Sequence, residues 1–108
     1  ETLLEALYNL TSNAVKYNRP GGKVTLGVAV HPYQVDLGVS DQGPGIPEAE
    51  LPFIFDDFFR SKSPELKNKP GTGLGLSIAR RVVKAHRGDI SVHSQQGQGT
   101  TFTVSLPR

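Results

Sequence analysis

A two-layer α/β sandwich, a mixed sheet with helices packed on one face, is the fold class this sequence predicts. Three observations carry it. Two segments space their apolar residues as an amphipathic helix does, four segments alternate apolar and polar residues, and the order is helix, two strands, helix, two strands. At 108 residues the chain has room for one core and too little for two, so residues 1–108 are read as one domain.

The opening segment ETLLEALYNLTSNAVKYN has Leu3, Leu7, Leu10, Ala14 and Tyr17 at steps of four, three, four and three, which predicts a helix. RPGG ends it, because proline and paired glycines cannot continue the turn. KVTLGVAV alternates Val24, Leu26, Val28 and Val30, and QVDLGVSD alternates Val35, Leu37 and Val39; with HPY between them they predict a hairpin or adjacent strands. QGPGIPEAELP is a loop leading into a short helix over residues 51–59. Residues 60–73 are rich in Lys, Ser, Pro and Gly and predict a loop. GLSIARRVVKAHRG predicts a second helix, with Ile78, Ala79, Val82, Val83 and Ala85 on one face and Gly88 as the stop. DISVHS and TTFTVSLP, joined by QQGQG, complete the chain as a second hairpin.

Composition excludes several function classes. With no cysteine there is no disulfide, zinc finger or thiol nucleophile, and the chain suits a reducing compartment. No apolar run spans a bilayer and no signal-peptide pattern opens the chain. A net charge of +2 is no nucleic-acid footprint. Methionine is absent, so the chain is read as a piece of something longer.

Four places hold residues able to do chemistry. Asn9, Asn13 and Lys16 share a face of the first helix. A solvated face is the plain reading, although asparagine favours caps and turns over helix interiors. A carboxamide oxygen suits Mg²⁺, and Lys16 offers a point charge to a phosphate. Asp41, in SDQGPGIP, continues the parity of Val35, Leu37 and Val39 and so faces the apolar side, where a carboxylate needs partners. It is either a turn residue capping loop amides or an acceptor for an amino group such as that of adenine. Gly43 and Gly45 would then let the backbone approach the ring. Phe53, Phe55, Phe58 and Phe59 form a core cluster anchoring the loop, followed by Arg60, Lys62, Lys67 and Lys69 as cations for a polyphosphate. Gly71, Gly73 and Gly75 lead into a helix N-terminus, whose free amides favour anions. Their spacing is wrong for G-x-G-x-x-G, and no P-loop is present. His31, His86 and His93 lack metal-ligand spacing and are read as structural.

Singly these features are ambiguous; their order is not. NLTSNAVKYN, DQGPG, FDDFFR, GTGLGL and GQGTTF follow one another between Asn9 and Phe102. The combination resembles the catalytic ATP-binding domain of bacterial two-component sensor histidine kinases. These belong to the GHKL superfamily, which also holds gyrase, the heat-shock chaperone ATPase and the mismatch-repair ATPases. The resemblance implies a Bergerat-type ATP-binding fold with ATP and Mg²⁺ as cofactors. It makes Asn13 the Mg²⁺ ligand and Asn9 a second, catalytic polar group near the phosphates, with Lys16 and Tyr17 lining the nucleotide. Asp41 would bond the adenine amine, with Gly43, Gly45 and Ile46 beside it. Arg60, the second catalytic residue, would reach the γ-phosphate with Lys62 near it. Gly71, Thr72, Gly73, Leu74, Gly75 and Leu76 would close a lid and give amides to the phosphates. Thr100 would lie near the adenine with Phe102 in the core behind it.

Departures from the family pattern are Asp57 where a basic residue or Pro is common, Pro70 where Gly is common, and Arg87 where a Gly pair is usual. The strand that usually precedes the first helix is missing, which leaves a sheet edge open. No histidine has the acidic residue and proline that follow the family's phosphoacceptor. The resemblance therefore implies transfer of the γ-phosphate to a histidine on a separate dimerisation domain, with a response regulator as indirect partner. No nucleic acid and no direct membrane contact are implied. The domain is expected in the cytoplasm, its parent either free or anchored in the inner membrane. In the hydrolytic cousins a Glu stands where Asn9 does, and a carboxamide cannot serve as that base. A regulatory nucleotide-binding module without catalysis, and an anti-sigma-type serine kinase of the same superfamily, are the alternatives.

Overall fold

The computed structural model describes residues 2–66 and 75–108. Helix α1 (Leu3–Lys16) opens with a capping box. The Thr2 hydroxyl accepts from the Glu5 N–H at 3.1 Å, and the Glu5 carboxylate accepts from the Thr2 N–H at 2.9 Å. Its inward stripe is Ala6, Leu10 and Ala14, all buried. Leu3, Leu7 and Tyr17, expected on the same stripe, lie at its margin and are partly exposed. Ala6 and Ala14 lie eight residues apart with Leu10 midway, so one large side chain sits between two small ones along the buried stripe.

Among the described residues the strands are β1 (Val24–Val30), β2 (Gln34–Asp41), β3 (Asp89–Gln95) and β4 (Gly99–Pro107), in the order β1-β2-β4-β3. Every pairing among them is antiparallel, so the mixed sheet expected from the element order is corrected. Both short connections are hairpins, and the long return from β2 inserts β4 beside it in the opposite direction. The expected helix over residues 51–59 is a 3₁₀ turn, Glu48–Phe53, with Pro52 inside it and Phe58 at φ 64° beyond it. Proline removes a backbone donor, and a left-handed residue cannot extend a right-handed helix.

Helix α2 (Gly75–Ala85) buries Ser77, Ala79, Val82 and Val83, while Ala85, expected on that face, is exposed in the last turn. Among the described residues Leu10, Val83 and Val104 are the largest fully buried side chains, one each from α1, α2 and β4. Val39, Ile54, Ile90 and Phe102 join them in a single core, where Phe102 meets Phe55 edge to face at 6.1 Å between ring centres. Of the four phenylalanines expected in a cluster, Phe55 and Phe59 pack on this core, whereas Phe53 and Phe58 are exposed.

The helical layer stops short of β1. Leu26 pairs with Val39, Val28 with Leu37 and Val30 with Val35, which places all six on one sheet face. Val39 is buried, yet Leu26, Val28 and Val30 remain 62–69% exposed.

Candidate functional site

A cavity of about 360 Å³ opens between α1, the end of β2, the start of α2 and residues 59–66. It falls within the range of about 300–1,000 Å³ common for small-molecule sites. Helix α1 sends Asn9, Ser12, Asn13 and Lys16 to its wall, joined by its C-cap Tyr17, so the flank that could have been merely solvated faces a pocket. The Lys16 ammonium lies 5.2 Å from the centre of the Tyr17 ring.

Asp41 closes β2 and lines the cavity. Its Oδ1 accepts from the Gly43 N–H at 2.9 Å and from the Thr100 N–H at 3.3 Å. Burial pushes its carboxyl above the ordinary value, and the two backbone donors oppose that rise. Both donors meet the same oxygen, a geometry that leaves Oδ2 to accept from a ligand. The turn-capping and ligand-binding readings are therefore not rivals: Asp41 caps its loop with one oxygen while lining the pocket.

A polar clasp stitches α1 to this loop. The Asn18 side-chain oxygen accepts from the Gln42 N–H at 3.2 Å and its amide donates to the Lys23 carbonyl at 3.0 Å. The Gln42 side-chain oxygen accepts from the Lys23 N–H at 3.0 Å and from Arg19 at 3.3 Å. The clasp brings Tyr17 against Gly43, where a Cβ would lie 2.3 Å from the Tyr17 carbonyl oxygen. Gly43 is buried and lies outside the cavity wall, a correction to the expectation that it admits a ring. Gly45 does line the cavity, at φ +77° with a Cβ position 2.4 Å from the Gln95 carbonyl. Its glycine is required by the neighbouring hairpin as well as by the turn.

Arg60 and Ser61 reach the wall, whereas Lys62, expected beside the phosphates, is exposed and does not. Glu50 holds this stretch of backbone: its carboxylate accepts from the Ser61 hydroxyl at 2.5 Å and from the Lys62 backbone N–H at 3.0 Å. Ile46, Gly75, Leu76 and Thr100 line the cavity, and Phe102, expected in the core behind it, is part of the core and also lines the wall. Gly71, Thr72, Gly73 and Leu74, with Lys67, Lys69 and Pro70, lie outside the described residues. Sequence reasoning missed Ser12, Pro44, Ile54, Phe59, Ser61 and Leu66 as lining residues. Ser12 shares the helix flank of Asn9 and Asn13, which was the one available signal.

The whole chain, residues 1–108, matches the model of the histidine kinase-, DNA gyrase B-, and HSP90-like ATPase family. The chain belongs to that ATPase family. Among curated relatives of this family it is 40% identical to the sensor histidine kinase WalK of Bacillus subtilis (strain 168), across 99% of this chain and 18% of WalK. It is 43% identical to the adaptive-response sensory kinase SasA of Synechococcus sp. (strain JA-2-3B'a(2-13)), across 99% of this chain and 28% of SasA. The chain thus spans less than a third of either relative. The solved mycobacterial sensor histidine kinase MprB superposes with a TM-score of 0.87 at 39% identity, covering 95% of this chain and 70% of that one. Full-length ShkA, solved in complex with AMPPNP, gives a TM-score of 0.80 at 32% identity, covering 95% of this chain and 20% of ShkA. The fold is that of the ATPase domain of these kinases. Among the described residues no helix is long and apolar enough to cross a membrane.

Proposed function

We propose that the cavity binds Mg-ATP and serves phosphoryl transfer to a histidine on a separate dimerisation domain of a two-component sensor kinase. The observation that carries the reading is the single cavity wall shared by Asp41, Asn9, Asn13 and Arg60. One end of that wall offers a carboxylate to a base amine; the other offers carboxamides and a guanidinium to phosphates. That full-length ShkA, a relative of this fold, was solved in complex with AMPPNP supports a nucleotide as the ligand.

The donor set fits a Mg²⁺ ion shared with phosphates. Among the described residues no group of three or more His, Cys, Asp or Glu side chains could hold a metal by itself. Mg²⁺ commonly takes few protein ligands beside phosphate oxygens and water, and Asn13 would hold it through its side-chain oxygen. Bound Mg-ATP supplies the transferable γ-phosphoryl group. The chain's part is positioning and charge. Asp41 orients the base, Asn9 and Lys16 hold the phosphates, and Arg60 offsets negative charge at the transferred group. Asn9 cannot remove a proton from water, which favours transfer over hydrolysis.

None of the chain's histidines lines the cavity. His31 sits at the β1–β2 turn beside Asp36 at 3.2 Å, His86 bonds the Val82 carbonyl at 2.9 Å, and His93 lies on β3. The acceptor is therefore assigned to another domain. The test measures ATP binding by calorimetry with and without Mg²⁺, and label transfer from ATP to an added dimerisation domain. Asn13→Ala should remove the Mg²⁺-dependent part of the affinity, and the transferred label should be acid-labile, as phosphohistidine is. Nucleotide binding without any transfer favours the regulatory module; an acid-stable label on a serine substrate favours the serine kinase.

A further inference from the structure

We propose that Ser94, on β3 and outside the cavity wall, is a positioning residue that sets base selectivity through the hydroxyl of Thr100. The inference rests on the nucleotide reading above. Ser94 Oγ has three polar neighbours: the Ile46 N–H at 2.7 Å, the Gly99 carbonyl at 3.2 Å and Thr100 Oγ1 at 2.8 Å. A serine hydroxyl has one proton and two lone pairs. The Ile46 N–H can only donate, so it takes one lone pair. The Gly99 carbonyl can only accept, and the one arrangement that makes all three bonds at once gives it the Ser94 proton. In that arrangement the remaining lone pair receives a proton from Thr100, although the Ser94–Thr100 pair taken alone admits either direction.

Thr100 lines the cavity and is 6% exposed. With its proton committed to Ser94, its hydroxyl can act toward a base only as an acceptor. Asp41, ionised and bonded through its backbone donors, is also an acceptor. The base end of the pocket therefore presents acceptors from two residues. It suits an exocyclic amine, which offers two protons, and opposes a keto oxygen in the same place. A site built of committed polar groups rejects the mismatched analogue strongly, because groups left unpaired there lose their solvation. Ser94 also holds the Ile46 end of the loop that carries Gly45, so a single hydroxyl joins loop position to hydrogen-bond polarity.

The experiment compares binding of Mg-ATP and Mg-ITP by calorimetry; ITP replaces the 6-amine with a keto oxygen. Ser94→Ala frees the Thr100 proton to turn toward the ligand. The ATP-over-ITP ratio should fall about tenfold, with ITP affinity held or raised. Ser94→Thr, which keeps the hydroxyl, should preserve the ratio. If Ser94→Ala fails to fold, Thr100→Val carries the test and should lower the ratio in the same direction. Equal loss of both nucleotides in a folded Ser94→Ala, or an unchanged ratio, overturns the role of Ser94 and leaves the nucleotide reading standing. Failure of the unaltered protein to bind either nucleotide overturns both.

Discussion

On the proposed reading, Asp41 serves ligand recognition at some cost to stability. Burial raises its pKa above that of the unfolded chain, so between the two values the folded protein holds more protons. The stabilising contribution of the protonated form is complete below the unfolded pKa and is lost as pH rises through the folded one. At neutral pH the ionised carboxylate is a net cost to folding. Asp41→Asn keeps an oxygen for the Gly43 and Thr100 N–H groups but turns an amide donor toward the base amine. Its thermal midpoint at pH 7 should match or exceed that of the unaltered protein, while ATP affinity falls about 10- to 100-fold in calorimetry. A lower midpoint together with unchanged affinity would contradict this assignment. In the unaltered protein, ATP affinity should fall as acid protonates Asp41, opposite in sign to its effect on stability.

The ends of the elements are where local sequence and observed geometry part company. Helix α2 ends in a Schellman-type turn, with the Gly88 N–H on the Val83 carbonyl at 2.9 Å and the Arg87 N–H on the Lys84 carbonyl at 3.0 Å. The left-handed position is held by Arg87, at φ 63°, and not by Gly88. An L-residue there costs about 1 kcal/mol relative to glycine. Arg87→Gly should therefore raise stability by up to about 1 kcal/mol in a denaturant titration, discounted for glycine's freer unfolded chain. Base selectivity, set at the other end of the sheet, should not change. Helix α1 is the opposite case, since its capping box was present in its residue types. Thr2→Ala should cost about 1 kcal/mol in the same titration.

Across the whole molecule, the cavity depends on the core beneath it. Leu10 is fully buried one residue from Asn9 and three from Asn13, so shrinking it both opens a void and loosens the helix that carries the carboxamides. Leu10→Ala should cost about 2–5 kcal/mol, against a total of about 5–15 kcal/mol for domains of this kind. Thermal denaturation reads the loss, and a small one would mean that the helices re-close around the site. The apolar face of β1 behaves differently. Leu26, Val28 and Val30 are on the core side of the sheet yet more than 60% exposed, at a sheet edge. Val28→Lys should raise the concentration at which the protein stays monodisperse in light scattering and leave ATP affinity unaltered.

Periodicity was enough to locate the two α-helices and four strands among the described residues, because a helix or strand facing one core must repeat its apolar residues at its own period. It did not identify the 3₁₀ turn, which was read as a helix over residues 51–59. The ordered boxes from Asn9 to Phe102 were likewise enough to point to an ATPase domain, since each needs particular residue types at fixed spacing. The sequence alone did not decide which flank of α1 meets a pocket, because a solvated face and a lining face carry the same polar residues. Strand direction was misread as mixed, for alternation is identical in parallel and antiparallel strands. Gly43 was read as room for a ring and proved to be room for the Tyr17 carbonyl, 26 residues earlier in the chain. Lys62 stands on a stretch whose backbone Glu50 holds, and its side chain does not line the cavity; Ser94 acquired its place only when β3, β4 and the Gly45 loop met. Local residue type determines what a segment can form and which bonds it can offer. Which of those bonds are made depends on what the rest of the chain brings within about 3 Å, and that distance exists only in the folded molecule.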